Sequence, residues 1–196
     1  TALCAADVGD VIGVRGPHGT GWDVAGARGG DVLVVAGGLG LAPVRPIITE
    51  ILSAREAYGR IALLVGARSP AGLLYTDELE RWAATGSIDV GVTVDTADRT
   101  WRGEVGVVTR LIERVTLDAE ATTAFVCGPE VMMRFAAVGA TDLGIAADRV
   151  WLSMERNMHC AIGHCGHCQL GPYYICKEGP VLPWPRLEPL MRIRSR

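Results

Sequence analysis

Long apolar runs are missing from this chain of 196 residues. None approaches the roughly 20 residues that cross a bilayer as a helix, so no membrane insertion is expected. No secretory leader is visible, and no basic run interrupts the body. The one basic cluster is the short tail Arg192-Ile193-Arg194-Ser195-Arg196, which reads as a solvated end. With a net charge of −3, nucleic acid is excluded as a main partner. The 25 glycines follow no collagen period, so they mark tight turns instead of a triple helix or disorder. Hydrophobic residues make up 49% of the chain, enough for one ordinary domain with a sizeable core and an appendage. A cytoplasmic, soluble protein is expected.

What is present is a cysteine cluster near the end. Cys160, Cys165, Cys168 and Cys176 are spaced C-x4-C-x2-C-x7-C. The first three follow the plant-type ferredoxin pattern, in which a tight loop supplies three thiolates and a more distant cysteine completes a [2Fe–2S] site. Structural zinc also takes four thiolates. A zinc ribbon, however, carries two C-x2-C knuckles a dozen or more residues apart, and this chain has one. His159, His164 and His167 lie among the cysteines. They would replace a ligand in a zinc or Rieske-like site, but four cysteines already complete one. Disulfides suit small secreted domains best. An iron–sulfur cluster moves one electron at a time, so redox partners are implied on both sides of it.

Upstream, short β-branched runs alternate with amphipathic stretches. Strands are predicted at 31–36, 61–65, 88–94, 123–127 and 149–153. Helices are predicted at 43–58, from a Thr76 cap onward with Asp77 and Glu78 at its positive end, at 107–115 and at 130–143. Strands alternating with helices across short loops make an α/β fold with a doubly wound, parallel, five-stranded sheet. Ligands of such sheets bind at the carboxyl ends of the strands.

Candidate residues are therefore sought there. The first strand runs into Gly37-Gly38-Leu39-Gly40-Leu41-Ala42-Pro43. Glycines let backbone amides approach a diphosphate, and the helix N-terminus that follows favours negative charge. Pro43 suits the first turn, where its missing N–H costs nothing. It also stands where a full G-x-G-x-x-G fingerprint has its third glycine. The fourth strand ends in Cys127-Gly128-Pro129: either a small side chain laid against a planar ring, or a buried cysteine acting as a small hydrophobe. The second strand ends with Gly66-Ala67-Arg68-Ser69, without the acidic residue that commonly holds an adenosine ribose. Arg68 and Ser69 would suit a 2′-phosphate instead, or Arg68 is simply exposed. Before Asp31, the run Gly9 to Gly19 reads as one strand and a turn of a β-barrel.

These pieces, in this order, resemble the ferredoxin–NADP reductase superfamily. The resemblance runs from Val14-Arg15-Gly16-Pro17 through Gly37 to Pro43 and on to Cys127-Gly128-Pro129. The cysteine module narrows it to one subclass. That subclass contains the electron-transfer subunits of dihydroorotate dehydrogenase and of anaerobic sulfite reductase. It also contains the gamma (diaphorase) subunits of soluble NAD(P)-linked [NiFe] hydrogenases, or sulfhydrogenases. The runs 151–160, 163–171, 176–180, 125–133 and 74–79 are most similar to the hydrogenase branch.

The resemblance implies three regions: 1–30 as the remnant of an N-terminal flavin-binding β-barrel and its linker, 31–153 as a ferredoxin reductase-like NAD(P)-binding domain, and 154–196 as a [2Fe–2S] module and tail. It places Gly37, Gly38, Gly40 and Pro43 under the NAD(P) diphosphate. Cys127, Gly128 and Pro129 would lie by the nicotinamide, and Arg15, Gly16 and Pro17 near the flavin. The four cysteines would be the cluster ligands. The Arg-x-Tyr-Ser/Thr motif and the barrel that hold FAD in this superfamily are not in the chain, so FAD is implied for the complete protein. The implied activity is electron transfer between NAD(P)H, FAD and the cluster, within a hetero-oligomer of hydrogenase-type or other oxidoreductase subunits. A dihydroorotate dehydrogenase or sulfite reductase partner is the alternative. A non-catalytic nucleotide-binding module with structural zinc is the alternative of another class.

Overall fold

The computed structural model describes residues 2–192; part of the basic tail, residues 193–196, lies outside them. From Val32 onward, strand and helix alternate as β1 (Val32–Gly37), α1 (Leu41–Ser53), β2 (Ile61–Ala67), α2 (Thr76–Ala84) and β3 (Asp89–Val94). Then follow β4 (Glu104–Val105), α3 (Thr109–Ile112), β5 (Thr123–Cys127), α4 (Glu130–Asp142) and β6 (Val150–Ser153). The last stretch holds β7 (Gln169–Leu170), β8 (Tyr173–Tyr174), β9 (Val181–Pro183) and α5 (Trp184–Met191).

The main sheet has seven strands in the order β4-β3-β2-β1-β5-β6-β9. The five predicted strands stand side by side at its centre and are all parallel. Two edge strands extend it: β4, parallel to β3, and β9, antiparallel to β6 through Leu152↔Leu182. Every residue of β1 is buried, because both faces of the sheet are covered. On one face Val32, Val34 and Ala36 meet Ile47, Ile48 and Ile51 of α1 and Trp82 of α2. On the other, Leu33 and Val35 join a core that takes in Ile112, Ala136, Ala137 and Leu187 from α3, α4 and α5. Arg45 of α1 clasps Glu78 of α2 with one guanidinium edge, Nε donating to Oε2 at 2.7 Å and Nη2 to Oε1 at 2.9 Å. That ion pair holds the Glu78 carboxyl below the usual carboxylate range.

Four local expectations change. Only one turn, Thr109–Ile112, forms within the predicted 107–115 helix. Thr76 is the first residue of α2 and not its cap; the capping position is Tyr75, in the left-handed region at φ 53°, with no side-chain cap bond. The 43–58 helix starts earlier, at Leu41, and ends at Ser53. The expected barrel strand in the Gly9 to Gly19 run is absent among the described residues, and Val8, Val11 and Val14 stand exposed. A lone strand has no ladder to join and no face to bury.

Four elements, β7, β8, β9 and α5, form where only a cluster module and tail are expected. β9 completes the sheet edge, and α5 buries Trp184, Leu187 and Met191 against the body. Their spacing of three and four residues is the helical signal, interrupted to the eye by Pro185 and Pro189. Leu187 is fully buried, so Leu187→Ala should cost about 2–5 kcal/mol. Urea unfolding of the two chains checks it.

Candidate functional site

The sheet order reverses at β1: β2 lies on one side of it and β5 on the other. The crevice of a doubly wound sheet opens at such a point. Here it brings together two candidate runs that are about ninety residues apart in sequence. Ala36 pairs with Cys127, so Gly37 and Gly38 leave β1 beside the point where Gly128 and Pro129 leave β5. Gly38 has φ +53°, which a β-branched residue adopts only with strain. Gly40 lies directly on the turn after β5. A methyl added there would meet the Cys127 carbonyl carbon at 2.5 Å and the Gly128 nitrogen at 2.7 Å. Two helices, α1 and α4, begin at this crevice, and helix N-termini favour anions. Leu39 stands at its mouth, 81% exposed. Pro43 lies in the first turn of α1, and its carbonyl accepts the Trp22 indole N–H at 3.0 Å.

Cys127 is 7% exposed. Burial pushes its thiol up, only partly countered by a hydrogen bond with Ser153, while Glu155 pushes it further up. Ser153 occupies the tip of β6, the next strand, and reaches Cys127 because Val126 pairs with Leu152. The ordinary thiol value already lies above neutral, so this group stays protonated at pH 7. It offers the crevice a neutral sulfur rather than a nucleophile.

At the tips of β2 and β3, Arg68 is exposed and Ser69 half-buried. The Asp95 amide donates to the Ala67 carbonyl at 2.9 Å, and the Thr96 amide to the Arg68 carbonyl at 3.0 Å. The acidic residue missing from the end of the second strand therefore stands at the end of its neighbour. Sequence inspection misses Asp95, although a strand followed by Asp is its visible signal. A carboxylate beside a bound ribose would accept its hydroxyls and repel a 2′-phosphate. Asp95→Ala should raise the NADP(H)-to-NAD(H) affinity ratio by about tenfold, equivalent to about 1.4 kcal/mol. Paired binding titrations measure it.

The chain leaves the β6 tip and reaches Cys160 seven residues later. The six cysteines are all free thiols, so the disulfide alternative is set aside. The loop turns its amides inward through left-handed backbone at Ala161 (φ 60°) and Gly163 (φ 73°). The amides of Ile162, His164 and Cys165 donate to Cys160 Sγ at 3.5, 3.3 and 3.3 Å. The Gly163 amide donates to Cys176 Sγ at 3.1 Å. Those first three amides pull the Cys160 thiol down to about 6. Burial, then the adjacent Cys168, pushes the Cys176 thiol up.

Cys160 lies beside Cys165, and Cys168 beside Cys176. Two neighbouring pairs of sulfurs, with amides aimed at them, fit a two-iron cluster. His159 and His167 are exposed and stack on each other, centroids 3.8 Å apart and planes 4° from parallel.

The N-terminal arm runs along the cysteine loop. Arg15 Nη2 donates to the His159 carbonyl at 3.2 Å. Thr20 bonds through its amide to the Gly179 carbonyl, and through its hydroxyl to Glu178 and Val181 carbonyls at 3.2 and 3.1 Å. Arg15, Gly16 and Pro17 are exposed. Arg15 thus reaches the cysteine loop and not the glycine crevice, and the described residues do not enclose a flavin pocket around the three.

Residues 34–137, more than half of the chain, match the oxidoreductase NAD-binding domain. The chain belongs to that family. Residues 155–188 match the iron–sulfur cluster binding domain of dihydroorotate dehydrogenase B, which favours iron over zinc in the cysteine loop. Among curated relatives of this NAD-binding oxidoreductase chain, sulfhydrogenase 2 subunit gamma of Pyrococcus furiosus is 33% identical, with 90% of this chain and 66% of the relative covered. A probable dihydroorotate dehydrogenase B (NAD(+)) electron transfer subunit of Methanothermobacter thermautotrophicus is 37% identical, over 95% of this chain and 63% of the relative. The chain thus spans just under two thirds of the length of these relatives. Among solved structures, the NADH-dependent reduced ferredoxin-NADP oxidoreductase of flavin-based electron bifurcation superposes with a TM-score of 0.72. It is 28% identical and covers 98% of this chain and 68% of its own. No helix among the described residues is long and apolar enough to cross a membrane.

Proposed function

We propose that the chain is the nucleotide-binding and cluster-carrying part of a cytoplasmic electron-transfer (diaphorase) subunit. It passes electrons between NAD(P)H, FAD and a [2Fe–2S] cluster, to or from a partner subunit of the [NiFe] hydrogenase or sulfhydrogenase type. One observation carries this: strand β6 ends beside Cys127, in the crevice, and its continuation becomes the cysteine loop. Nucleotide and cluster sites are thereby joined by a seven-residue stretch instead of a flexible linker.

In this proposal the amides of Gly38 to Gly40 and the start of α1 hold the diphosphate, and Cys127 with Gly128 and Pro129 forms the floor on which the nicotinamide rests. The protonated Cys127 thiol neither takes nor gives a proton. Cys160, Cys165, Cys168 and Cys176 ligate the irons, and the loop amides offset the charge on sulfur. FAD and the cluster supply the exchange between a two-electron hydride and single electrons. FAD is proposed for the whole protein, because the described residues do not build its pocket.

The dihydroorotate dehydrogenase partner remains the second reading, favoured by the 37% identity to a probable subunit of that enzyme. The subunit that copurifies from the native source separates the two. The electron-transfer reading itself is tested on anaerobically purified protein by iron, zinc and sulfide content, and by EPR after dithionite. Equal iron and sulfide with a rhombic spin-one-half signal is expected; zinc without sulfide would end it. In the full-length protein, Cys127→Ala should slow single-turnover hydride transfer about tenfold to a hundredfold without loss of iron. An unchanged rate would remove Cys127 from the site.

A further inference from the structure

One indole reaches both supports of the nucleotide crevice. Resting on the proposal that this crevice takes NAD(P)H, we infer that Trp22 is a positioning residue of the site. It ties the start of α1, where the diphosphate is held, to the face of β5 that ends in the nicotinamide floor.

Two contacts of a single side chain make the tie. Trp22 Nε1–H donates to the Pro43 carbonyl, in the first turn of α1, at 3.0 Å. The same indole stands edge-on to Phe125 of β5, with ring centroids 5.6 Å apart and planes at 85°, an attractive aromatic geometry. Phe125 is fully buried and lies two residues before Cys127 on β5. Alternate residues of a strand share a face, and Phe125 and Cys127 pack in one core with Leu41 and Val44 of α1. Trp22, half-buried, packs against that core.

The start of α1 is short of a fastening of its own. In an α-helix each carbonyl accepts the amide four residues further on. Pro46 lies inside α1 and has no N–H, so the Ala42 carbonyl receives no such bond. The indole supplies a bond from outside at the next carbonyl, that of Pro43. Trp22 is itself held on both sides. Two residues before it, Thr20 bonds to the Glu178, Gly179 and Val181 carbonyls. Two residues after it, Val24 is buried in the same core.

A dinucleotide spans both supports, so it gains from having them fixed in register before it binds, which spares the cost of ordering them. A ligand that reaches the diphosphate support alone gains nothing from the tie.

The test titrates oxidised full-length protein with NAD+ and with ADP-ribose, which keeps the diphosphate and lacks the nicotinamide. Neither ligand donates electrons, so no turnover intrudes. Trp22→Phe retains an aromatic ring and removes the N–H. It should weaken NAD+ binding about threefold to tenfold, the worth of one hydrogen bond, and change ADP-ribose affinity less than about twofold. Unchanged NAD+ affinity would overturn the inference. So would an equal loss for both ligands, which would make Trp22 a support of α1 alone. Should the variant fail to fold, hydrogen exchange at the Trp22 indole of the wild-type protein decides. Coupling between sites is reciprocal, so saturating NAD+ should slow that exchange about threefold to tenfold. Saturating ADP-ribose should leave it unchanged; equal slowing by both ligands, or by neither, would overturn the inference. If the wild-type protein binds neither NAD+ nor NADP+, the crevice proposal falls, and this inference with it.

Discussion

Replacing Cys168 by alanine should strip the protein of iron and leave it able to bind nucleotide. The wild-type protein is expected to hold about two irons and two sulfides; the variant should hold less than a tenth of that. Cys168 is buried beside Cys176, so no water ligand would replace it readily, and the three remaining thiolates would not hold a cluster. The surrounding backbone does not depend on the sulfur. The Ile175 amide donates to the Cys168 carbonyl at 3.1 Å, and Ile175 itself is fully buried. NAD(P)H affinity should therefore change by less than about twofold, because the crevice lies at the β1 and β5 tips. Metal analysis and nucleotide titration of the same preparation provide both readouts. Retention of two irons by the variant would remove Cys168 from the ligand set.

Gly40→Val should have the converse effect: nucleotide binding lost, cluster kept. The added side chain would be driven into the carbonyl and amide of the turn after β5, where even a single methyl meets the Gly128 nitrogen at 2.7 Å. Neither contact belongs to a flexible side chain that could swing aside. Relief requires β1 and β5 to part at their tips or the glycine turn to swing outward. Either movement carries the amides of residues 38–40 away from the diphosphate. Overpacking of this kind costs about 1–3 kcal/mol of stability. NAD(P)H affinity should fall by about tenfold to a hundredfold, equivalent to about 1.4–2.8 kcal/mol. Iron content should be unchanged, since the cysteine loop leaves from β6. Wild-type affinity in a folded variant would show that this turn does not carry the diphosphate.

Much of the body was legible because its central parallel strands, β1, β2 and β5, are buried on both faces. Thr123–Cys127 coincides with the predicted strand, and the others differ by one or two residues at their ends. Helices were legible where an apolar stripe is long, as in Glu130–Asp142, and not where a single turn suffices, as in Thr109–Ile112. The edge strands β4 and β9 are two and three residues long, too short for periodicity to register. The cysteines and the glycine turn were visible because their chemistry depends on residue type at fixed spacing. Asp95 and Ser153 were not, since each gains meaning only from the neighbouring strand: Asp95 from the β2 tip, and Ser153 from Cys127. The N-terminal arm likewise owes its place to bonds across the fold, from Arg15 to His159 and from Thr20 to Glu178 and Val181. No local pattern announces such pairings.

The cysteine loop is an excursion that begins and ends in the sheet, leaving from β6 and returning as β9, with Ser153 paired to Val181 at its neck. Both feet of the loop are hydrogen-bonded through the sheet, by contacts that involve no cysteine. The free-energy cost of bringing its ends together is thus met by folding of the α/β body, and not by iron. Maturation should accordingly run in a set order, with an apoprotein already carrying its nucleotide crevice receiving iron and sulfide afterwards. Loss of the cluster to oxygen would then empty a pre-shaped socket, and reloading would be limited by the supply of iron and sulfide and not by refolding.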